Sequence, residues 1–537
     1  MPGEAAELCE AVGAKHSPDG WRPLGAPCAL AAANNEPSPC LYSSHRRAPP
    51  SAMIGVLCPS YRHNTMPLPA TRRQSLALIA AAGLPAWAQA QTAAPAAPAA
   101  ATDAPAVPPP PSRPPIQLTP LPLRQRRLAN GLQVVSLPRR GGITVAVQVW
   151  YRVGGKDDPA GRSGFAHLFE HMMFKRTKHM PNEMFDRLTE DVGGQNNAFT
   201  AEDMTAYQNE VPSNHLERLL WAEAERMANL QLDQANFDSE RKVVIEELRQ
   251  RVLADPYGRL FNALPQHGFE RHPYQRPVIG NEAELNAATL DDVKRFHATF
   301  YRPDNAVLVV VGDFDPAQLD AWVDRYFAPL QRPASAIPRV NVSEPARAVD
   351  TRVLLKAPNV PLPAVALLWK GPSVTHEDAA ALEVAQALLS TGESSRLNEA
   401  LVYSSQTAQA AGFATELYAD SGLLAAYAIA ASGQSLRKLE EALLAQISLL
   451  ARSKVPVAEI DKVRAQLMTG VLLSRQTPQG LADAIGRAVL LHGDAAEADA
   501  RIARLQAVRV ADIQRVLNQY VLRARRVTID YTQGAGA

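Results

Sequence analysis

Gly164-Phe165-Ala166-His167-Leu168-Phe169-Glu170-His171-Met172-Met173-Phe174 is the stretch from which the rest of the chain is best read. In a helix, positions four apart stand one turn above each other on one face, so His167 and His171 can aim their imidazoles at a single ion. Glu170 lies beside that face, where it can accept a proton from a water activated by the metal. The other positions, Phe165, Ala166, Leu168, Phe169, Met172 and Met173, are apolar on several sides. The helix is therefore expected to be buried, and buried histidines and a buried carboxylate need partners or a metal to offset their desolvation. The bland reading has both histidines satisfied by core hydrogen bonds and Glu170 paired with Lys175 or Arg176. Two histidines and a glutamate together on one apolar helix favour the metal.

Two histidines do not close a zinc site. A third protein ligand is required, with the fourth position left for water. The helical stretch 238–253 offers Glu240, Glu246 and Glu247. Glu240 and Glu247 are seven apart and share a face, with Val243 and Val244 expected on the same buried side. Glu246 shares its face with Lys242, Arg249 and Gln250, and reads as solvated surface. A carboxylate on the apolar face is the one that demands a cation, so Glu247 is the expected third ligand of one zinc ion and Glu240 the carboxylate behind it.

Outward from this centre the text mixes strands and helices. Residues 125–137 read as a hairpin around Asn130-Gly131, and 144–153 as a long β-rich run. Helical periodicity follows at 164–175 and 182–191, alternation at 196–211, and long helices at 214–230 and 234–253. This order is α+β and disfavours a parallel βαβ sheet. Asp292-Val293-Lys294-Arg295-Phe296 followed by Tyr301 and a strand at 306–311 recurs as Asp512-Ile513-Gln514-Arg515-Val516, Tyr520 and 526–530. A helix running into a strand at the end of each half points to internal duplication. The expected body is thus two homologous halves, each an antiparallel-rich sheet packed with helices. They are placed at 116–332 and 349–537, with a proline-bearing linker at 333–348.

The chain has 537 residues, 55 Lys+Arg against 54 Asp+Glu, and a net charge of +1, so nothing favours a nucleic-acid partner. Its four cysteines, Cys9, Cys28, Cys40 and Cys58, all precede the body, where any metal must then be held by His, Asp or Glu. Arg72-Arg73, a short apolar run at 76–88 and Ala-x-Ala sites at Ala86 and Ala88 have the form of a signal peptide, assigned to 66–90. The paired arginines fit the twin-arginine route as well as the general secretory one. Such a signal begins a chain, so translation is expected to start at Met66, with 1–65 a mis-assigned upstream segment. Residues 91–115 are dominated by alanine and proline and read as an extended tether. The mature protein is expected in the periplasm or otherwise secreted, with no transmembrane anchor.

His167-x-x-Glu170-His171, with Glu247 far downstream and Glu240 one heptad before it, resembles the pitrilysin and mitochondrial processing peptidase family of inverted-zincin metallopeptidases. The likeness runs over 121–531 and includes Asn196-Asn197-Ala198-Phe199-Thr200, Asp203-Met204-Thr205-Ala206-Tyr207 and Gly392-Glu393-Ser394-Ser395-Arg396-Leu397. The resemblance implies a zinc metalloendopeptidase with ligands His167, His171 and Glu247 and general base Glu170. It also implies a substrate-pairing edge strand at Asn197, Ala198, Phe199 and Thr200.

One departure matters. Active members carry an Arg and, seven positions on, a Tyr that reach the substrate; here those places fall on Val402 and Gln409. The resemblance therefore implies a paralogous partner subunit supplying Arg and Tyr in a heterodimer around a peptide substrate. A competing class is a peptide-binding or assembly subunit that keeps the fold and cleaves nothing, against which the intact Glu170 argues. A metal-dependent enzyme acting on something other than peptide is disfavoured by the likeness through the peptide-pairing strand.

Overall fold

The computed structural model describes residues 115–534. The upstream segment 1–65, the signal peptide at 66–90 and all but the last residue of the tether lie outside the described residues. The body is α+β, built on two sheets. The first has six strands in the order β1-β2-β6-β3-β5-β4: β1 (Arg124–Arg127), β2 (Gln133–Pro138), β3 (Thr144–Tyr151), β4 (Gln195–Thr200), β5 (Thr205–Pro212) and β6 (Ala306–Gly312). The second has five in the order β7-β11-β8-β10-β9: β7 (Thr351–Ala357), β8 (Ala364–Gly371), β9 (Ala408–Leu417), β10 (Gly422–Ala430) and β11 (Val527–Gln533).

Set β1 aside and the two orders are the same. Each sheet has one parallel pair in the same place, β2 with β6 and β7 with β11, and every other pairing is antiparallel. The helix Leu290–Phe300 leads into β6 as the helix Val510–Leu517 leads into β11, the recurrence legible in the sequence. No helix or strand lies between Tyr326 and Thr351 among the described residues.

The central strands are apolar on both sides because both faces of each sheet are covered. Strand alternation deals the side chains of β3 to two cores. Val145, Val147 and Val149 go to one with α1 (Phe165–Met172), α2 (Met184–Glu190), α3 (Leu216–Asn229) and α4 (Gln234–Leu248); Ala146 and Trp150 go to the other. That second face is covered by Leu481, Ala482 and Ile485 of the helix Pro478–Arg487, which belongs to the second half. The exchange is mutual. Leu260 and Leu264 of α5 (Gly258–Gly268), in the first half, pack on Ala366, Leu368 and Ile529 of the second sheet.

Each half thus borrows a helix from the other to cover one face of its sheet. Glycine allows the close approach in both places. A Cβ on Gly486 would stand 2.1 Å from the Trp150 ring, and one on Gly268 would stand 2.4 Å from the Leu423 side chain.

Candidate metal centre

α1 begins at Gly164, whose φ of 88° lies in the left-handed region and which has no side chain to cap the helix. The cap comes from further back. The Asp158 carboxylate accepts the N–H groups of Gly164 at 2.8 Å and Ala166 at 2.7 Å, occupying donors the first turn leaves unpaired. Burial pushes the Asp158 carboxyl up to about 7 against those hydrogen bonds. Phe165, Ala166, Leu168, Phe169 and Met172 are buried as expected, which fixes the rotation of the helix and turns His167, Glu170 and His171 to a common side.

α4 packs against α1 through Val244 and Leu248 and brings Glu247 to that side. Val243, expected on the buried face, is 47% exposed; the buried stripe passes through Phe237, Glu240, Val244 and Leu248. Glu246 is exposed, as its charged neighbours implied.

One ligand atom from each of His167, His171 and Glu247 lies within 4.8 Å of the others, the one such group of metal-ligating side chains among the described residues. Glu247 Oε2 stands 3.6 Å from His167 Nε2 and 3.5 Å from His171 Nε2. Tetrahedral zinc with arms of about 2.0–2.1 Å separates its donors by roughly 3.4 Å, so these two edges are already those of a zinc tetrahedron. The donor set, two imidazoles and one carboxylate, is one used by catalytic zinc, and the residues present fit that ion.

The electrostatics agree with a place made for a cation. Burial, then the nearby His171, lowers the His167 pKa to about 4, which keeps it neutral and ready to ligate. Burial also disfavours charge on His171, but the Glu240 and Glu247 carboxylates overcome it and raise its pKa to about 9. Glu247 itself is held below the usual carboxylate range, first by His171. Left to themselves, these side chains keep one proton on His171, which an incoming metal would displace.

Around the triad stand groups that spacing alone could not assign. Glu240 is buried, lies 3.5 Å from His171 Nδ1 and pairs with Lys175 at 2.8 Å. Lys175 therefore serves Glu240 and not Glu170, which removes one of the two pairings considered for the base. Arg251 approaches the other oxygen of Glu247 at 2.7 Å, from the π-helical turn Arg249–Leu253 that continues α4. Glu170 is buried, and burial lifts its carboxyl to about 7. Its hydrogen-bond donor is the Thr200 hydroxyl, at 2.5 Å.

A cleft of about 250 Å³ opens over Glu170 and His171 and is lined also by Phe174, Lys175, Glu240 and Asn196, Asn197 and Ala198 of β4. β4 is the last strand of its sheet, so one side of its backbone pairs with no other strand there. Phe199 points away from the cleft, edge-on to Trp150 at 5.5 Å and beneath the Arg487 guanidinium. In the second half, Val402 packs partly buried against the core and Gln409 is exposed on β9.

Two family models match successive stretches of the chain, the second beginning inside the first half. A family model described as "Insulinase (Peptidase family M16)" matches residues 133–282, and one described as "Peptidase M16 inactive domain" matches 287–467. The chain is 30% identical over 405 residues to the zinc protease PqqE of Helicobacter pylori, covering 75% of this chain and 91% of that one. It is 26% identical over 407 residues to a probable mitochondrial-processing peptidase subunit beta of Arabidopsis thaliana, covering 74% of this chain and 76% of the relative. Among solved structures, a protease from Helicobacter pylori superposes with a TM-score of 0.74 at 29% identity, over 77% of this chain and all of that one. Since a 30% identical relative is matched over nine-tenths of its length and two models of one family follow one another along the chain, the chain belongs to peptidase family M16, the insulinase family.

Proposed function

We propose that the chain is the zinc-bearing subunit of a secreted metalloendopeptidase that hydrolyses extended peptides or unfolded segments. The observation that carries this reading is the convergence of His167, His171 and Glu247 on one point with the Glu170 carboxylate beside them in an open cleft. One zinc ion held there would polarise the scissile carbonyl and acidify the attacking water. Glu170, whose burial places its carboxyl near neutrality, takes the proton from that water and returns it to the leaving amine. The substrate adds as a strand along Asn197 to Thr200, so backbone hydrogen bonds supply affinity and the cleft supplies preference. Glu240 orients His171.

Glu170→Gln is the test. It should retain zinc and lose turnover by about 10²–10⁴-fold; undiminished cleavage would remove Glu170 as the base.

Val402 and Gln409 offer no guanidinium or phenol where the family's active members place them. The full enzyme then needs a paralogous chain to supply Arg and Tyr, and the beta-subunit name of the Arabidopsis relative is in keeping with such a division of labour. Losing such a donor costs about a hundredfold or more in rate, so the chain alone should turn over slowly. Full activity of the purified chain without a second protein would defeat the partner. The same two residues are what favours the second reading, a peptide-binding or assembly subunit that cleaves nothing.

A further inference from the structure

We propose that Thr200 is a positioning residue for Glu170: its hydroxyl fixes one carboxylate oxygen and leaves the other to exchange protons in the cleft. The proposal rests on the peptidase reading above. The Thr200 hydroxyl stands 2.5 Å from Glu170 Oε2, the length of a charge-assisted O–H to carboxylate bond. Thr200 can aim there because of strand alternation. Ala198 joins the core that contains α1, Phe199 and Ala201 join the opposite core, and Thr200 returns to the α1 side. Pairing of Thr200 with Thr205 fixes its backbone, and its β-branch restricts the side chain to few rotamers. The donor is therefore stiff, whereas the glutamate it holds has three rotatable bonds.

The second half contains the same clasp. On β9, the Thr415 hydroxyl lies 2.6 Å from Gln386 Oε1, and the Thr415 N–H donates to the same oxygen at 2.8 Å. Gln386 sits on the helix Ala379–Ser390, which stands between β8 and β9 as α1 stands between β3 and β4. The clasped residues are separated by 30 positions in the first half and 29 in the second. A threonine near the end of the edge strand thus ties down a hydrogen-bonding side chain of the helix below it in both halves. Only in the first half is that side chain an acid facing the cleft. Because β4 is also the strand a peptide would extend, seating the peptide and fixing the base would then fall to one segment.

The test uses the full zinc-loaded chain and a pool of fluorogenic peptides at high enzyme concentration, comparing Thr200→Val, Thr200→Ser and Thr415→Val. Thr200→Val should keep its zinc and lower kcat on the order of 10- to 100-fold with KM changed by about twofold at most. Thr200→Ser should regain most of kcat. Thr415→Val breaks the equivalent bond, so it should lower the melting temperature and leave kcat alone. The proposal is overturned if Thr200→Val keeps wild-type kcat, if its loss appears in KM, if serine does not rescue, or if Thr415→Val lowers kcat equally.

A second arm needs no turnover. Combining Glu170→Ala with Thr200→Val should lower the melting temperature by less than the sum of the single losses, and additive losses would overturn the clasp. A wild-type chain that stays inert even with a paralogous partner added, together with a non-additive pair, would instead defeat the peptidase reading while upholding the clasp.

Discussion

The helix that follows the third strand of the first sheet reads Phe165-Ala166-His167-Leu168-Phe169-Glu170-His171-Met172, and its counterpart in the second sheet reads Ala379-Ala380-Ala381-Leu382-Glu383-Val384-Ala385-Gln386-Ala387-Leu388-Leu389-Ser390. Both are buried along most of their length and lie over strands of the same order and direction. One presents two imidazoles and a carboxylate to a cleft; with Gln386 set against Glu170, the other has Glu383 and Ala387 where the first has His167 and His171. The strand framework thus tolerates either filling, and chemistry was installed or withdrawn without disturbing it. Three polar side chains are retained in so apolar a setting only where something offsets their desolvation, and in the first half the proposed zinc would do so.

Three measurements would break or sharpen this contrast. The largest effect is expected at the metal. His171→Ala should lower zinc affinity roughly a thousandfold or more, since a zinc binding free energy of about 10–16 kcal/mol is shared among few donors. Gln386→Ala, on the matching helix, should leave zinc content unchanged. Elemental analysis after dialysis against a graded chelator reads both, and equal loss in the two variants would end the asymmetry.

Next come the borrowed helices, where the halves should behave alike. Leu481→Ala and Leu260→Ala each empty a buried site on the other half's sheet, and each should cost about 2–4 kcal/mol. Chemical denaturation should show one transition for each. A variant in which one half melts separately would show that the two cores are not coupled.

The smallest effect lies at the seam between the halves. Lys156 bridges Asp203 at 2.8 Å and Asp420 at 2.9 Å, and Glu202 and Glu416 lie near one another, each lifted by burial to about 7. A carboxyl whose folded value exceeds the unfolded value of about 4.3 binds its proton more tightly in the native state. Stability should therefore fall as pH rises from about 4.5 to 7 and level off above, because the unfolded chain deprotonates first. Glu416→Gln should flatten that fall by on the order of 1 kcal/mol. Denaturant midpoints at pH 5 and 7.5 would reveal it, and an unchanged slope would show that Glu416 titrates normally.

How far all this could be read from sequence depended on whether the signal was local. The period of four on α1 and of seven on α4 lies within single helices, so His167, His171 and Glu247 were legible before any coordinates. So were the hairpin at Asn130-Gly131 and the recurring helix-strand pair that ends each half. Asp158 escaped because it caps α1 from six residues before Gly164, outside the reach of any N-cap pattern. The Thr200 hydroxyl was hidden because Asn197 to Thr200 resembles a backbone-pairing strand, which says nothing about a side chain whose target lies 30 residues away. The exposure of Val243 was misjudged because a heptad defines a stripe only about one side chain wide. The exchange of helices left no local mark at all, since Leu260 and Leu481 look like the apolar stripe of any amphipathic helix.

That exchange limits how this molecule can be taken apart. A cut anywhere in 330–350 would look harmless on the page, yet either fragment would carry a naked apolar sheet face and a greasy helix with nowhere to go. The half that holds His167, His171 and Glu247 is in this sense captive to its twin: without the Pro478–Arg487 helix, the backs of Trp150 and Phe199 lose their support, and with them the strand that carries Thr200.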